Sequence, residues 1–170
     1  MDIRPARPED VPALDSLLRT SFESAAEADL VRRLCIDGDM VLTMIARDPD
    51  IVGAAVFSRM AVEVNGAAIP AVALAPLAVA GPWRRQGVGE ALVAAGHDAL
   101  ARAGWVLSFV LGEPAYYARF GYAADWASGF DSPYAGDYLM AMPLQSAGMP
   151  CGVRGTATHA PAFAALSEDA

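Results

Sequence analysis

Two arginines and two glycines follow an apolar stretch in the middle of the chain. The apolar run 77–83 leads into Arg84-Arg85-Gln86-Gly87-Val88-Gly89, and a helical pattern begins at Val88. Glycines at a helix start expose backbone N–H groups, and both the helix dipole and neighbouring arginines favour a bound anion. The turn therefore predicts a site for phosphate oxygens, and with it a phosphate-bearing cofactor.

The spacing of these residues separates the common phosphate-binding motifs. A P-loop requires Lys followed by Ser or Thr after its last glycine, and neither pair follows Gly89. The dinucleotide fingerprint requires a third glycine, but Gly89 is followed by Glu90-Ala91-Leu92. What remains is Arg84-x-x-Gly87-x-Gly89 after a strand that contains Pro76.

The elements around this turn predict an α/β fold with a mixed sheet. Strand-like runs at 40–46, 51–64 and 67–79, the last two joined by Asn65-Gly66, predict an antiparallel meander. A helix over 88–103 and a strand over 105–111 add a central parallel βαβ crossover. Because Pro76 cannot donate to a sheet ladder, a bulge or a splaying point is expected there.

Shorter patterns flank this centre. Two helices precede the meander; the second starts at Ser24-Ala25-Ala26-Glu27, which has the form of a capping box, and stops at Gly38. A short helix over 113–120 and late strands over 138–144 and 153–159 follow the crossover. No repeat or linker interrupts the pattern, so we expect a single domain spanning 1–170.

Composition narrows the functional classes. A formal net charge of -8 argues against nucleic-acid binding, which needs clustered Lys and Arg. The apolar run 67–80 is too short to span a membrane and the N-terminus has no apolar signal region, so a cytoplasmic protein with no membrane partner is expected. Cys35 and Cys151 lie far apart, which predicts buried thiols rather than a disulfide or a metal site.

The loop motif Arg84-x-x-Gly87-x-Gly89 closely resembles the acetyl-CoA-binding motif of the GNAT N-acetyltransferase superfamily. The segment Tyr117-Ala118-Arg119-Phe120-Gly121-Tyr122 resembles a second motif of that superfamily, Tyr-x-x-x-Gly-(Phe/Tyr), and it follows the parallel strand as expected. The run 111–122 looks most like a bacterial branch of predicted N-acetyltransferases. The strong matches cover about residues 67–122, and the order of elements agrees with the GNAT fold.

The resemblance implies a site for acetyl-CoA. Gly87 and Gly89 would let the backbone approach the pyrophosphate, while Arg84 and Arg85 would bind phosphate groups, unless one of the two is simply solvated. The end of the strand would diverge from its parallel neighbour and hold the pantetheine arm by its backbone. The full expected cofactor-binding set is Leu77, Ala78, Val79, Arg84, Arg85, Gln86, Gly87, Val88 and Gly89.

The resemblance also makes Tyr117 the candidate catalytic residue, as the general acid that protonates the departing CoA thiolate. A tyrosine pKa of about 10 and a thiol pKa of about 8.5 bring this transfer close to balance. Tyr116 is the alternative. Glu113, Glu23 and Glu27 are candidate bases for the amine, although none lies in a diagnostic motif and a solvated surface residue is the commoner interpretation of each. No metal is required, and neither cysteine has a matching His for a ping-pong thiol mechanism.

These inferences predict an N-acetyltransferase that moves the acetyl group of acetyl-CoA directly to a primary amine of a small-molecule acceptor. The alternative is a non-catalytic acyl-CoA-binding sensor or interaction module on the same fold. The acceptor site is expected at 22–37 and from 124 onward, and a homodimer is plausible from the resemblance. The aromatic candidates, which line a pocket or complete the core, are Phe22, Trp126, Phe130 and Tyr134; His97 is expected to be structural or exposed, and His159 to line the acceptor pocket or carry no role.

Overall fold

A seven-stranded mixed sheet runs through the computed structural model, which describes residues 1–168. Residues 169 and 170 of the predicted domain lie outside the described residues. Six strands lie in the order β1-β2-β3-β4-β5-β6, and β7 pairs with the second half of β3. The strands are β1 (Asp2–Pro5), β2 (Met40–Arg47), β3 (Ile51–Val64), β4 (Ala67–Val79), β5 (Leu107–Leu111), β6 (Leu139–Pro143) and β7 (Arg154–Thr158).

Six α-helices connect these strands within the described residues. The two longest helices of the N-terminal part precede the meander, and one 15-residue helix forms the crossover between β4 and β5. The helices are α1 (Val11–Ser21), α2 (Ala26–Asp37), α3 (Val88–Arg102), α4 (Pro114–Tyr117), α5 (Ala124–Ala127) and α6 (Phe163–Glu168). A single 3-10 turn, Ala118–Phe120, extends α4.

The parallel pair β4–β5 separates before either strand ends. Their register runs from Ala71 opposite Leu107 to Leu74 opposite Val110, and beyond this point β4 pairs only with β3. The β3–β4 register shifts beside Pro76, between the pairs formed by Ala55 and Phe57. The bulge and the splaying point expected at Pro76 are therefore both confirmed, and a gap opens between the ends of the two strands.

Each face of the sheet has its own hydrophobic cover. On one face, α1, α2 and the C-terminal segment pack over β2 and β3, with Leu18, Leu34 and Ile45 almost fully buried. On the other face, α3 packs over Phe57, Val72 and other residues of the central strands. Alternation along β4 sends Ala78 to the first cover and both Leu77 and Val79 to the second.

The structure corrects two local predictions and agrees with a third. The capping box at Ser24 does not form, because α2 starts at Ala26 and the Ser24 hydroxyl accepts only the nearby Ala26 N–H, at 3.1 Å. Cys35 and Cys151 are exposed rather than buried. His97, expected to be structural or exposed, is 8% exposed and lies on the side of α3 that faces the sheet, so the structural interpretation is confirmed.

Candidate functional site

A cleft of about 640 Å³ lies at the gap between β4 and β5. It brings together the end of α1, the end of β4, the turn into α3 and the segment after β5. Every predicted site residue except Gln86 lines it. The lining residues are Ser21, Phe22, Leu77, Ala78, Val79, Trp83, Arg84, Arg85, Gly87, Val88, Gly89, Glu90, Tyr116, Tyr117 and Arg119.

One side of the cleft, residues 77–90, is called the loop wall. Arg85 and Gly87 both have left-handed backbone conformations, with φ of 63° and 81°. A residue with a side chain seldom adopts this region, so Arg85 is held there by the turn around it. Gly87 is the N-cap of α3. The N–H groups of the first helical turn have no acceptor within the helix and are free to bind an anion.

Polar side chains fix the shape of the loop wall. Arg84 Nε donates to the Val79 carbonyl at 3.0 Å, which holds its guanidinium beside the end of β4. Gln86 Nε2 donates to the Pro82 carbonyl at 2.8 Å, so this side chain turns back onto the turn instead of into the cleft. Gln86, which was predicted to bind the cofactor, therefore stabilises the turn and does not line the cleft.

The opposite side of the cleft, residues 112–122, is called the tyrosine wall. The Tyr116 hydroxyl lies 3.0 Å from the position that a Cβ atom on Gly89 would occupy. A side chain at position 89 would therefore meet Tyr116 first, with Leu77 and Val79 further away at 3.9 Å. The absence of a side chain at Gly89 lets Tyr116 reach across to the first turn of α3.

Tyr117 lies against the end of β5. A Cβ atom on Gly112 would fall 2.5 Å from its ring, so the ring packs directly on this glycine. It also meets the Tyr122 ring edge-on, with ring centroids 6.1 Å apart. Burial, with a smaller contribution from Tyr116, raises the pKa of Tyr117 to about 12. Tyr117 therefore carries its proton throughout the neutral pH range.

Cationic groups collect at this cleft although the chain as a whole is acidic. Arg84, Arg85 and Arg119 line it together with one carboxylate, Glu90, whereas the formal net charge of the protein is -8. Arg119 lies over the Tyr116 ring, 5.3 Å from its centroid, and forms an ion pair with Glu90 across the cleft. A positively charged cleft on a protein that is acidic as a whole favours an anionic ligand at this place.

The side of the cleft away from α3 is formed by Ser21 and Phe22. Phe22 packs against the cover formed by α1 and α2, so the cleft is lined by residues from both faces of the sheet. The other aromatic candidates do not line it: Phe130 is buried in the core, Trp126 is partly exposed, and Tyr134 packs edge-on against His159. Burial lowers the pKa of His159 to about 4.

The three candidate bases differ in their surroundings. Glu23 and Glu113 are exposed. Glu27 is half-buried, and its Oε2 atom is shielded from solvent without a hydrogen-bond partner among residues 1–168. A buried carboxylate oxygen without a hydrogen-bond partner is costly, which distinguishes Glu27 from the two exposed glutamates.

Sequence reasoning missed several lining residues. Ser21 carries no local signal, since only the packing of α1 brings it to the cleft. Arg119 lies inside the Tyr117–Tyr122 motif, and its distance of two residues from Tyr117, on the same short helical segment, was the signal that could have placed it at the cleft. Glu90 and Trp83 also line the cleft, and their positions beside the motif residues were the available hint.

Over residues 1–168, no helix is long and apolar enough to cross a membrane. The same stretch contains no group of three or more His, Cys, Asp or Glu side chains placed to hold a metal ion.

Comparison with known proteins identifies the family. The family profile described as "Acetyltransferase (GNAT) domain" matches residues 2–124. The protein named "Uncharacterized N-acetyltransferase YhbS" from Escherichia coli strain K12 is 44% identical over 124 residues, covering 72% of this chain and 73% of the relative.

Solved structures agree with this result. A crystal structure of YhbS from Escherichia coli in complex with CoA superposes with a TM-score of 0.87 at 35% identity, covering 96% of this chain and 91% of that one. A GNAT family acetyltransferase from Brucella melitensis in complex with acetyl-CoA gives a TM-score of 0.73 at 24% identity, covering 95% of this chain and 97% of that one; it is similar in fold. The family match and the relative at 44% identity establish that this chain belongs to the GNAT acetyltransferase family.

Proposed function

We propose that residues 1–170 act as one domain that transfers the acetyl group of acetyl-CoA directly to a primary amine of a small-molecule acceptor. The observation that carries the proposal is that one cleft joins the cationic loop wall, Tyr117 and the end of β4. This end of β4 pairs with β3 on one side and is left unpaired by β5 on the other. Family membership supplies the reaction class and the acyl donor. The position of Tyr117 beside the loop wall in one cleft supports the assignment of acyl-donor binding and proton transfer to this site.

Acetyl-CoA is proposed to bind along the loop wall. Its pyrophosphate would accept hydrogen bonds from the N–H groups that begin α3, and Arg84, Arg85 and Arg119 would add charge-assisted bonds to phosphate oxygens. The pantetheine amides would pair with the backbone of Leu77, Ala78 and Val79, which β5 leaves unpaired. The crystal structure of the related protein YhbS in complex with CoA supports CoA as the ligand of this fold.

The transfer itself is proposed to run through a tetrahedral intermediate. The neutral amine attacks the thioester carbonyl carbon, and collapse of the intermediate breaks the carbon–sulfur bond. Tyr117 donates its phenolic proton to the departing sulfur, and the proton lost by the amine restores the phenol through solvent or a base. The products are the N-acetylated amine and CoA with a free thiol.

The raised pKa of Tyr117 bears on this step. A phenol with a pKa of about 12 is fully protonated at neutral pH, which is the form that a general acid needs. Donation to a thiolate in water would then be uphill, because a thiol pKa is about 8.5. Burial of the sulfur in the cleft would raise the pKa of the CoA thiol as well, which would reduce the difference between the pKa values of the thiol and the Tyr117 phenol.

Glu27 is proposed as the base that receives the proton of the amine. Its unpartnered, shielded Oε2 atom distinguishes it from the exposed Glu23 and Glu113. It lies in the first turn of α2, a short connection after Ser21 and Phe22, which line the cleft. The proton would travel through water in the cleft, since Glu27 does not itself line it.

The test is a screen of amines with acetyl-CoA, followed by release of the CoA thiol. The panel consists of spermidine, free amino acids, an aminoglycoside and peptides with free N-termini. Turnover of one amine that depends on Tyr117 would support the proposal. Tight binding of acetyl-CoA by calorimetry, with no turnover of any amine, would instead favour a non-catalytic acyl-CoA-binding module.

A further inference from the structure

Three polar side chains meet inside the hydrophobic layer between α3 and the sheet. His97 Nε2 lies 2.9 Å from the Tyr122 hydroxyl and 3.2 Å from Ser108 Oγ, and the two hydroxyls lie 2.7 Å apart. His97, Ser108 and Tyr122 are 8%, 0% and 2% exposed. We call this group the polar triangle. Apolar side chains of the same layer surround it, including Phe57 against the His97 ring.

The three side chains of the polar triangle are uncharged at neutral pH. Burial lowers the pKa of His97 to about 4 and raises that of Tyr122 above its usual value. A neutral imidazole offers one acceptor nitrogen, and the two hydroxyls supply donors, so three groups can satisfy one another without a net charge. Because Ser108 has no exposed surface, no substrate reaches it as a nucleophile. The role of the triangle must therefore lie in what it connects.

The polar triangle connects three segments of the chain that each reach one of the two walls of the cleft. His97 belongs to α3, which begins at the loop wall. Ser108 belongs to β5, which ends directly before Gly112. Tyr122 follows the turn at Gly121 and closes the tyrosine wall. Hydrogen bonds with buried, fully used partners resist displacement, so the triangle fixes these three elements relative to one another.

The contact that reaches the site is made by the Tyr122 ring. It meets the Tyr117 ring nearly perpendicular, at an interplanar angle of 87°, while Gly112 supports another part of the Tyr117 ring. The Tyr117 ring thus packs on the end of β5 and on the Tyr122 ring, which is hydrogen-bonded in place. It also contacts the rings of Tyr116 and Phe120, with centroids 5.0 and 5.9 Å away. Rotation of Tyr122 would remove one of these supports.

We propose that His97, Ser108 and Tyr122 are positioning residues that hold the Tyr117 phenol at the cleft. The inference rests on the proposed function of Tyr117 as the proton donor. Effects of sub-ångström to ångström displacement on a reacting group are large, and a shift of about 1 Å can reduce turnover by about 100-fold. The triangle acts on turnover without touching either substrate.

The test compares variants of the triangle with a buried control. Tyr122→Phe retains the ring and removes only its hydroxyl, and Ser108→Ala removes the second member. Ser58→Ala is the matched control, because Ser58 is a fully buried serine of β3 whose hydroxyl has no hydrogen-bond partner within residues 1–168. His97→Gln, which keeps a polar group within reach, is compared with His97→Leu.

The first readout is the Tyr117 ring signal in a protein labelled at its tyrosines, measured with and without bound CoA. The chain has five tyrosines, so the spectrum is simple to assign. We expect Tyr122→Phe and Ser108→Ala to shift and broaden the Tyr117 signal, and Ser58→Ala to leave it unchanged. An unchanged Tyr117 signal in both triangle variants would overturn the inference, whatever the activity of the protein.

The second readout is a double-mutant cycle on kcat, with the amine that gives the fastest turnover in the screen. Tyr122→Phe should lower kcat about 10-fold at an unchanged KM for acetyl-CoA, and should have little further effect in a Tyr117→Phe protein. Additive losses would overturn the inference and leave the role of Tyr117 standing. Full activity of Tyr117→Phe alone would instead refute the proposed function, and the ring signal would still test the positioning.

Partial recovery in His97→Gln relative to His97→Leu completes the test. A positioning role predicts that Gln restores both the Tyr117 signal and part of kcat, since its amide can bond the Tyr122 hydroxyl. Equal loss in both variants at equal thermal stability would contradict a role for the hydrogen bond itself.

Discussion

The loop wall and the tyrosine wall face each other across one cleft but are built in different ways. The loop wall is a turn between the end of β4 and the start of α3, with exposed residues at 84–87 and a left-handed backbone at positions 85 and 87. The tyrosine wall consists of aromatic side chains packed on Gly112 and supported by the buried polar triangle. The difference suggests a division of labour, in which the loop wall sets cofactor affinity and the tyrosine wall sets the rate of transfer.

The strongest way to break this comparison is Gly87→Glu. A side chain at φ of 81° strains the backbone, and a carboxylate at the start of α3 repels phosphate. We expect the Kd for acetyl-CoA to rise by more than about 100-fold. Calorimetry measures this, with Gly87→Gln as the control that has similar strain without the charge. Unchanged affinity in Gly87→Glu would remove the loop wall from the cofactor site.

Tyr117→Phe addresses the opposite wall. Removal of the phenol should lower kcat by about 100-fold or more, the usual contribution of a general acid, with little change in the Kd for acetyl-CoA. Tyr116→Phe is the matched variant, and its hydroxyl lies beside Gly89. We expect that variant to raise KM and to keep kcat. Exchange of these two results would make Tyr116 the proton donor.

Glu27→Gln tests a group outside both walls. Loss of the base should lower kcat about 10-fold at neutral pH and less at high pH, where the amine loses its proton to solvent. The pH profile of kcat measures this effect. Glu23→Gln, an exposed neighbour, is the control and should match the unmodified protein. Identical profiles for all three proteins would exclude Glu27 as the base.

Arg119→Gln sharpens the boundary between the walls, because Arg119 belongs to the tyrosine wall but is proposed to bind phosphate. We expect about 5-fold weaker binding of acetyl-CoA and no change in kcat. Arg102→Gln is the control, since Arg102 forms an exposed ion pair with Asp98 outside the cleft. Titrations at two salt concentrations measure the difference. A loss of kcat alone would contradict phosphate binding by Arg119.

The smallest effect concerns stability and the polar triangle. Burial lowers the pKa of His97 and of His159 to about 4, so between about pH 6.5 and 4 the unfolded chain holds protons that the folded chain does not. The free energy of unfolding should therefore fall as the pH is lowered through this range. Each histidine should lower the free energy of unfolding by about 1 kcal/mol when the pH falls from 7.5 to about 6.

Urea unfolding at several pH values measures this dependence. His97→Gln should reduce the slope, and a further reduction is expected from His159→Gln. A slope that is unchanged in both variants would show that other groups control the acid stability.

Local signals account for much of the fold. Asn65-Gly66 and Pro76 act through their own backbones, so the hairpin, the bulge and the separation of β4 from β5 were all predictable. The pairing of β7 with β3 was not, because Ala157 and Val62 lie far apart in sequence and neither carries a signal for the other.

The site divides in the same way. The loop wall was predictable from its motif residues because the local backbone conformation of the turn restricts which residue types fit there. The contact of Tyr116 with Gly89 and the polar triangle depend on how α3 docks on the sheet, so they become visible only in three dimensions. The Ser24 capping box failed for a related reason: the observed start of α2 follows the packing of the helix rather than its sequence signal.

The cleft takes residues from both covers of the sheet, with Phe22 on one side and Tyr117 on the other. Under the proposed function, the amine and acetyl-CoA would enter from opposite directions and meet in the gap between β4 and β5. This arrangement suits a bisubstrate inhibitor, in which an amine is joined to CoA through an acetyl spacer. Such a compound would pass through the gap between β4 and β5 and occupy the sites of both substrates at once. Linking the two halves replaces two binding events by one, and such a compound would report the acceptor class by the amine that binds tightest.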